Sequence, residues 1–383
     1  MTLPSPSSAP VPAVLAPPAP VLPPEPVRFP LGWLLDHAAG PLKYRSIVDV
    51  AKPGGLDPTA VSTLPLTHGP ALTLAAQQAT DGTWNQSMLA LPSGRAEHFE
   101  GIGTIMAVRR LLEYGWDKDS PPLVRARRVL FRLLAEDNDP DYLFELGGKN
   151  AKDEDLSRRA RGLLREAAAA TLAHAGYEGV PRLRGAAHRI LDRIANYLRS
   201  PLAEKPFVRI GNQHVLPAEA SPPSMYALAM LAYMPLFRTE RHEAMELLYN
   251  HLMQPQPRQE TVQQVGEKIV AQPHLVMGDL LPHRNAADDD VVFAMAWLEL
   301  MARLGFLKRN DNWTKLFDRF LDERDRDGVW HPRKGLATVK SSNAFVWPMY
   351  PLEDSLAGDE RWTDLTFRLG LIARLAGRPI EVV

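Results

Sequence analysis

The chain has 383 residues, of which 45% are hydrophobic and 23% are charged, so it can bury a sizeable core. Its 44 Lys and Arg residues balance 45 Asp and Glu residues, which argues against a nucleic-acid partner or an anionic membrane partner. The chain contains no Cys, which excludes disulfides, thiol nucleophiles and every zinc site that needs a Cys ligand.

The start of the chain is rich in proline. Residues 1–30 contain eleven Pro among Ala, Val and Ser, a composition that removes backbone donors and offers little apolar surface. We therefore expect a disordered Pro/Ala-rich tail over residues 1–27 and a single domain over residues 28–383. Two interpretations of the tail stay open: a solvated extension, or a Pro-rich ligand for an aromatic groove of a protein partner.

Targeting signals are scarce. No positive charge precedes Arg28, and no uninterrupted apolar segment is present there, which argues against a secretory signal. The longest apolar run, from Tyr226 to Phe237, is shorter than the roughly 20 residues that a membrane-spanning helix needs. We therefore expect a cytoplasmic protein without a transmembrane segment.

From Arg28 onward, apolar residues recur at three- and four-residue spacing between segments of Gly, Pro, Asn and Asp, which is typical of helices. Strand patterns are scarce. The spacing predicts helices over residues 31–39, 70–79, 101–114, 123–134, 155–175, 183–199, 222–236, 240–253, 259–271, 288–305, 311–322 and 361–376. The predicted fold class is therefore all-α, and these segments are numerous enough for a closed ring of helical hairpins.

Two similar stretches form the most specific internal feature of the sequence. They run from Leu74 to Trp84 and from Phe320 to Trp330, and both end in Asp-Gly-x-Trp. An Asp-Gly turn accommodates the positive φ that ends a helix, and the Trp can fold back over the exposed helix end. The repeat therefore predicts two equivalent closures of helical hairpins.

These stretches resemble the repeated Gln…Gly-x-Trp element of the terpenoid cyclase and protein prenyltransferase superfamily. The first stretch has Gln78 at the Gln position of the family, whereas the second has Asp325 there. The resemblance implies an α/α toroid of about six helical hairpins. It also implies that the protein binds or transforms an isoprenoid or similar apolar small molecule by acid-initiated chemistry. Because prenyltransferase zinc requires a Cys ligand, we expect no metal, and we expect no cofactor.

Helices rich in small and apolar residues suit an inner ring that packs on both sides. We expect four side chains to shape the ligand pocket: Tyr226, Trp297, Trp347 and His98. Core packing is the alternative interpretation of the aromatic residues. His98 lies between Glu97 and Glu100, and a solvent-facing or capping role is its alternative.

The candidate catalytic residues are Asp288, Asp289 and Asp290, at the start of a predicted helix. In the cyclases that the chain resembles, an Asp-x-Asp-Asp motif supplies a protonated carboxyl, because like charge and burial keep one acid neutral. Here Ala287 replaces the first Asp, and Val292 excludes a metal-binding Asp-Asp-x-x-Asp arrangement. A structural interpretation is that these acids cap the helix and complement its positive end.

Two other functions stay open. Because the first Asp is missing, the toroid could be a scaffold or interaction protein without catalytic activity. Six-hairpin barrels also occur in carbohydrate lyases and hydrolases, in which aromatic rings stack on sugars and carboxylates transfer protons. The residues that would suit that chemistry are Asp81, Asp327, Trp347, Tyr350 and Asp354. Acids that face an enclosed apolar cavity favour a cyclase, whereas solvent-exposed acids favour a scaffold.

Overall fold

The computed structural model describes most of the chain beyond the predicted tail. The described residues are 25–52, 54, 58–93, 98–135, 143–147, 150, 152–257, 259–281, 284–332, 339–353 and 356–383. Residues 1–24 of the predicted tail lie outside this part, and so do Glu97 and Asp354.

The described chain is mostly helical. Its α-helices in chain order are α1 Leu31–His37, α2 Gly40–Arg45, α3 Gly69–Ala76, α4 Thr104–Glu113, α5 Pro121–Leu133, α6 Glu154–His174, α7 Pro181–Arg199, α8 Pro201–Glu204, α9 Met225–Ala232, α10 Pro235–Glu240, α11 His242–Leu252, α12 Arg284–Asp289, α13 Val291–Leu304, α14 Asp311–Asp322 and α15 Thr363–Leu375. A π-helical turn over Ser46–Ala51 continues α2. Pro121 and Pro181 begin their helices, where a missing backbone N–H costs nothing.

Five helices form an inner layer. α4, α9, α13 and α15 are buried along almost their whole length, and α6 is buried over Ala167–Ala173. α4 packs on α6, α6 on α9, α9 on α13, and α13 on α15. α15 packs on the Ser46–Ala51 turn, which follows Arg45. Arg45 forms an ion pair with Glu113 at the end of α4, so the last member of this series is linked to the first.

The outer helices bury one face only. In α5 the buried residues follow three- and four-residue spacing: Leu123, Ala126, Val129 and Leu130. α5 packs on α6, α7 packs on α6 and α9, and α11 packs on α7. The amphipathic pattern of the sequence therefore corresponds to helices that cover the inner layer.

Three short two-stranded sheets in the described part of the chain depart from the all-α prediction. They are β1 Val27–Phe29 parallel to β6 Ile380–Val382, β2 Val208–Ile210 antiparallel to β3 Gln213–Val215, and β4 Val262–Val265 antiparallel to β5 Lys268–Ala271. The β1–β6 pair joins the first described segment to the last one.

The predicted helix over residues 259–271 is wrong, because this segment forms the β4–β5 hairpin. Gly266 has a φ of 59° in the turn, a conformation that suits a two-residue hairpin loop. The Val262 carbonyl accepts the Leu216 N–H at 2.9 Å. Gln263 is buried, and its side-chain amide donates to two loop carbonyls at 2.7 and 3.2 Å. These contacts with a distant segment outweigh the helical spacing.

Other boundaries also differ from the prediction. The predicted helix over residues 222–236 ends at Ala232, and Pro235 begins α10. The predicted helix over residues 288–305 is interrupted at Asp290, between α12 and α13. α2 and the π-helical turn that follows it were not predicted.

The two Asp-Gly-x-Trp stretches make equivalent contacts with the inner helices. Trp84 and Trp330 are both fully buried. The Trp84 N–H donates to the Thr104 hydroxyl at 3.0 Å, and the Trp330 N–H donates to the Thr366 hydroxyl at 3.1 Å. Each Thr lies in the first turn or so of the next inner helix, α4 or α15. Trp84 thus joins the end of α3 to the start of α4, and Trp330 joins the end of α14 to the start of α15.

Their indole groups close the preceding helices, as the sequence predicts. The Trp84 indole N–H donates to the Leu74 carbonyl near the end of α3 at 2.8 Å. The Trp330 indole N–H donates to Glu323, the C-cap of α14, at 3.3 Å. The Gly that precedes each Trp by two residues has a φ of 89° or 94°, which favours glycine.

Candidate functional site

The acid triplet lies at the break between α12 and α13. Asp288 is exposed and forms an ion pair with Arg319 of α14 at 2.7 Å. Asp289 is exposed as well. These two carboxylates therefore face solvent rather than an enclosed apolar cavity.

Asp290 is half-buried and caps α13. Its Oδ1 accepts the Phe293 N–H at 2.9 Å, and its Oδ2 accepts the Ser341 hydroxyl at 2.6 Å. A side-chain acceptor at this position satisfies a backbone donor of the first helical turn. Ser341 lines a cavity of about 900 Å³, so its hydrogen bond connects Asp290 to the wall of that cavity.

A cavity of about 720 Å³ lies at the starts of the inner helices. Apolar side chains from α4, α9 and α13 line it, namely Met106, Met225, Tyr226 and Phe293, and Phe345 adds a further ring. Its polar lining consists of Gln256, Gln259, Glu260, Thr261, His274, Ser342 and Asn343. This volume falls within the range of small-molecule sites, roughly 300–1,000 Å³. Tyr226, a predicted pocket residue, is part of this wall.

A second cavity of about 900 Å³ contains two other predicted pocket residues, His98 and Trp347. The Trp347 ring meets Phe99 edge to face, with ring centroids 6.2 Å apart. Ser342 and Asn343 line both this cavity and the first one. The two cavities therefore adjoin each other along one loop.

Trp297 lies apart from both cavities. It is fully buried in α13 and meets Trp313 edge to face at 6.2 Å. The Trp313 indole in turn donates to Asp279 at 2.9 Å. Trp297, a predicted pocket residue, therefore packs in the core.

A central charge cluster of Arg45, Glu113, Glu299, Arg303 and Arg368 lies among the inner helices. Glu113 Oε2 accepts from Arg45 at 2.5 Å and from Arg368 at 2.7 Å. Glu299 accepts from Arg303 at 2.9 Å and from Arg368 at 2.8 Å. Arg368 thus connects the two carboxylates, and buried charges at such distances are mutually compensated.

The cluster sets the ionisation of its members. Burial opposes ionisation of Glu113, but Arg368 and Arg45 outweigh it and hold the pKa of this carboxyl well below its usual value. Arg368 and Arg303 likewise outweigh burial and lower the pKa of Glu299. Both carboxylates are therefore charged near neutral pH. Burial lowers the pKa of the neighbouring His174 to about 4, so that ring is neutral.

Three cavities follow one another along the inner helices. A small cavity of about 30 Å³ lies inside the cluster and is lined by Glu113, His174, Tyr233, Glu299 and Arg303. Phe345 lines both this cavity and the 720 Å³ cavity. On the other side, a polar cavity of about 370 Å³ also contacts His174, Tyr233 and Arg303.

The charge cluster is not evident from the sequence. Arg and Glu at helical spacing are usually solvated, and the partners of Glu113 are distant in sequence, at Arg45 and Arg368. One local signal was present: Glu299 lies between Leu298 and Leu300 in a helix whose other residues, apart from Arg303, are apolar. An acid at such a position requires a buried partner.

Within the described residues, no group of three or more His, Asp or Glu side chains is placed to hold a metal ion. In that same part of the chain, no helix has both the length and the apolar character needed to cross a bilayer. Comparisons with protein-family models, curated proteins and solved structures find no match.

Proposed function

We propose that the chain forms an α/α toroid that binds an isoprenoid or a similarly apolar ligand. The serial contacts of the inner helices support the toroid, since α4, α6, α9, α13 and α15 contact one another in order and the Arg45–Glu113 ion pair links the two ends. The equivalent Trp84 and Trp330 closures support it as well, because repeated hairpins would need repeated closures.

The single observation that carries ligand binding is the 720 Å³ cavity at the starts of the inner helices. Met106, Met225, Tyr226 and Phe293 give it an apolar wall, and water in contact with such a wall is released when an apolar ligand binds. Methionine side chains adapt to the shape of a chain-like ligand.

The geometry supports binding better than acid-initiated cyclisation. Asp288 and Asp289 are exposed, and both Asp290 oxygens accept hydrogen bonds. A general acid must reach the reacting atom and carry a proton. If the protein also performs acid-initiated chemistry, Asp290 is the proposed general acid.

A carbohydrate-active enzyme has less support. Asp81 holds its own turn, since Oδ1 accepts from the Thr83 N–H at 2.9 Å and from the Thr83 hydroxyl at 2.7 Å. The Tyr350 hydroxyl is buried and donates to the Val339 carbonyl at 2.8 Å. The Tyr350 hydroxyl is therefore not available to a sugar in this arrangement, and one oxygen of Asp81 is engaged within its own turn.

Ligand binding can be tested with a pocket-filling variant. Ala344 lines the 720 Å³ cavity and is exposed to it, so Ala344→Trp should fill space without disturbing the core. We expect calorimetric titration with farnesol, a neutral isoprenoid, to show binding to the wild type and at least tenfold weaker binding to this variant. Ala218→Trp, at an exposed turn elsewhere, is the matched control and should bind as the wild type does.

Absence of farnesol binding, together with absence of any co-purified lipid in native mass spectrometry, would contradict the proposal and favour a scaffold. Equally strong binding of farnesol to both Trp variants would show that farnesol binds at another site of the protein. Conversion of a bound isoprenoid by the wild type, abolished in Asp290→Asn, would instead support acid-initiated chemistry.

A further inference from the structure

One buried guanidinium of the inner layer, that of Arg109, forms neither an ion pair nor a hydrogen bond with the described residues. Arg109 of α4 is buried, and burial lowers its pKa. Its Nη1 has no hydrogen-bond partner, and the side chain forms no ion pair with the described residues. Its contacts are aromatic: the guanidinium carbon lies 4.6 Å from the Phe345 ring centroid and 5.7 Å from that of Tyr226.

The carboxylates nearest to Arg109 already form ion pairs with other arginines. Arg45, Arg303 and Arg368 share the carboxylates Glu113, Glu299 and Asp49, in five ion pairs of 2.5 to 2.9 Å. Three cations thus meet three anions. Arg110, the other buried arginine of α4 without an ion pair to a described residue, donates to the backbone carbonyls of Trp347 and Pro351 and interacts electrostatically with Asp364. Arg109 makes no hydrogen bond of this kind with the described residues. Since a buried charge without a partner is strongly disfavoured, this site favours the arrival of one negative charge.

The position of Arg109 connects it to the ligand cavity. Arg109 lines the 30 Å³ cavity, and both of its ring partners, Tyr226 and Phe345, line the 720 Å³ cavity. Phe345 lines the two cavities at once. A ligand whose chain fills the larger cavity therefore ends beside the ring pair that carries the Arg109 guanidinium.

The small volume and the single excess charge limit the anionic group. A buried water needs roughly 10–15 Å³ of such space, so 30 Å³ accommodates about two oxygen-sized atoms. A carboxylate brings two oxygens and one negative charge, and it matches the paired N–H groups of a guanidinium. A diphosphate exceeds both the volume and the charge.

We infer that Arg109 binds the carboxylate of a long-chain apolar acid whose hydrocarbon chain occupies the 720 Å³ cavity. This inference rests on the proposed function, because both use the same cavity. It adds the charge of the ligand and the residue that recognises it. The carboxylates of Glu113 and Glu299 line the small cavity too, but their own arginines neutralise them.

A matched pair of probes tests the inference: farnesoic acid and farnesol, which share a chain and differ in charge. Calorimetric titration at pH 7.5 should give a dissociation constant for the acid at least tenfold lower than that for the alcohol. In Arg109→Gln we expect the two constants to agree within threefold, with the binding of farnesol retained. Arg109→Lys keeps the charge and should keep a preference for the acid.

The outcomes separate the two proposals. If the wild type binds acid and alcohol equally, or if Arg109→Gln keeps the full preference, the role of Arg109 is overturned while the ligand cavity stands. If neither probe binds the wild type, the proposed function fails and the inference fails with it. Circular dichroism will show whether Arg109→Gln folds. If it does not fold, equal binding of farnesoic acid and farnesol by the wild type would still overturn the inference.

Discussion

Glu353 provides a test of the structure through the pH dependence of stability. Both of its carboxylate oxygens lie 3.0 Å from the Ala39 nitrogen, and Oε1 accepts the Thr363 hydroxyl at 2.6 Å. Burial, with the neighbouring Asp364, raises the pKa of Glu353 from 4.5 to about 7. Burial also raises the pKa of Asp364 to about 6. The folded state therefore favours the protonated form of both acids.

The sign and size of the effect follow from these values. The contribution of Glu353 to stability is fully present below pH 4.5, its ordinary pKa, and is lost as pH rises through about 7. A tenfold change in an ionisation constant is worth about 1.4 kcal/mol, so the full loss is about 3 kcal/mol. Solvent that reaches the half-buried carboxyl reduces this figure to about 2 kcal/mol.

Glu353→Gln keeps the shape of the side chain and removes its ionisation. We expect the stability of this variant relative to the wild type to increase by about 2 kcal/mol between pH 5 and pH 8. Urea unfolding followed by circular dichroism measures this difference, in which the titrating groups common to both proteins cancel. A difference that stays constant with pH, or that falls, would refute the assignment. Asp364→Asn should change in the same direction.

Two further predictions concern stability. Glu113→Gln leaves two buried guanidinium groups without their shared anion, and it should lower the free energy of unfolding by about 3 kcal/mol, measured with urea. Its control, Glu243→Gln, removes one partner of an exposed ion pair and should lower that free energy by less than about 1 kcal/mol. Equal losses in the two variants would contradict the buried cluster. Gly82→Ala should destabilise the fold by about 2 kcal/mol, because Gly82 has a φ of 89° and a Cβ would lie 2.9 Å from a backbone carbonyl oxygen. Gly179→Ala, where no atom lies within 4 Å of the added Cβ, is its control and should be neutral, and a loss as large as that at Gly82 would contradict this reasoning.

Local chemistry explains what the sequence predicted well. The closures at Trp84 and Trp330 depend on residues within about ten positions: the Asp-Gly turn, the indole donor and the end of the preceding helix. The long helices were predictable for the same reason, since their apolar spacing is a local property. Their boundaries failed where Pro235 or Asp290 interrupts a continuous apolar pattern.

Long-range contacts explain what the sequence did not predict. Val262 and Val265 have the spacing of a helix, yet the Leu216 backbone pairs with this segment and makes it a strand. Glu113 and Arg109 lie four residues apart, as on a solvated helix face. Their burial follows from packing against segments that are distant in sequence, so no local pattern reveals it.

The inner helices have a common orientation, which places the 720 Å³ cavity and the charge cluster at different positions along them. Met225 and Phe293 in the first turns of α9 and α13 line the 720 Å³ cavity. Tyr233, which follows α9, and Arg303, in the last turn of α13, line the 30 Å³ cavity inside the charge cluster. Helix carboxyl ends carry partial negative charge, so arginines are stabilising there. The cluster therefore links the inner helices away from their starts, and apolar residues can line the cavity at those starts without loss of an ion pair. Arg109 lies between the cavity and the cluster, where its charge can bind the proposed ligand without breaking an ion pair.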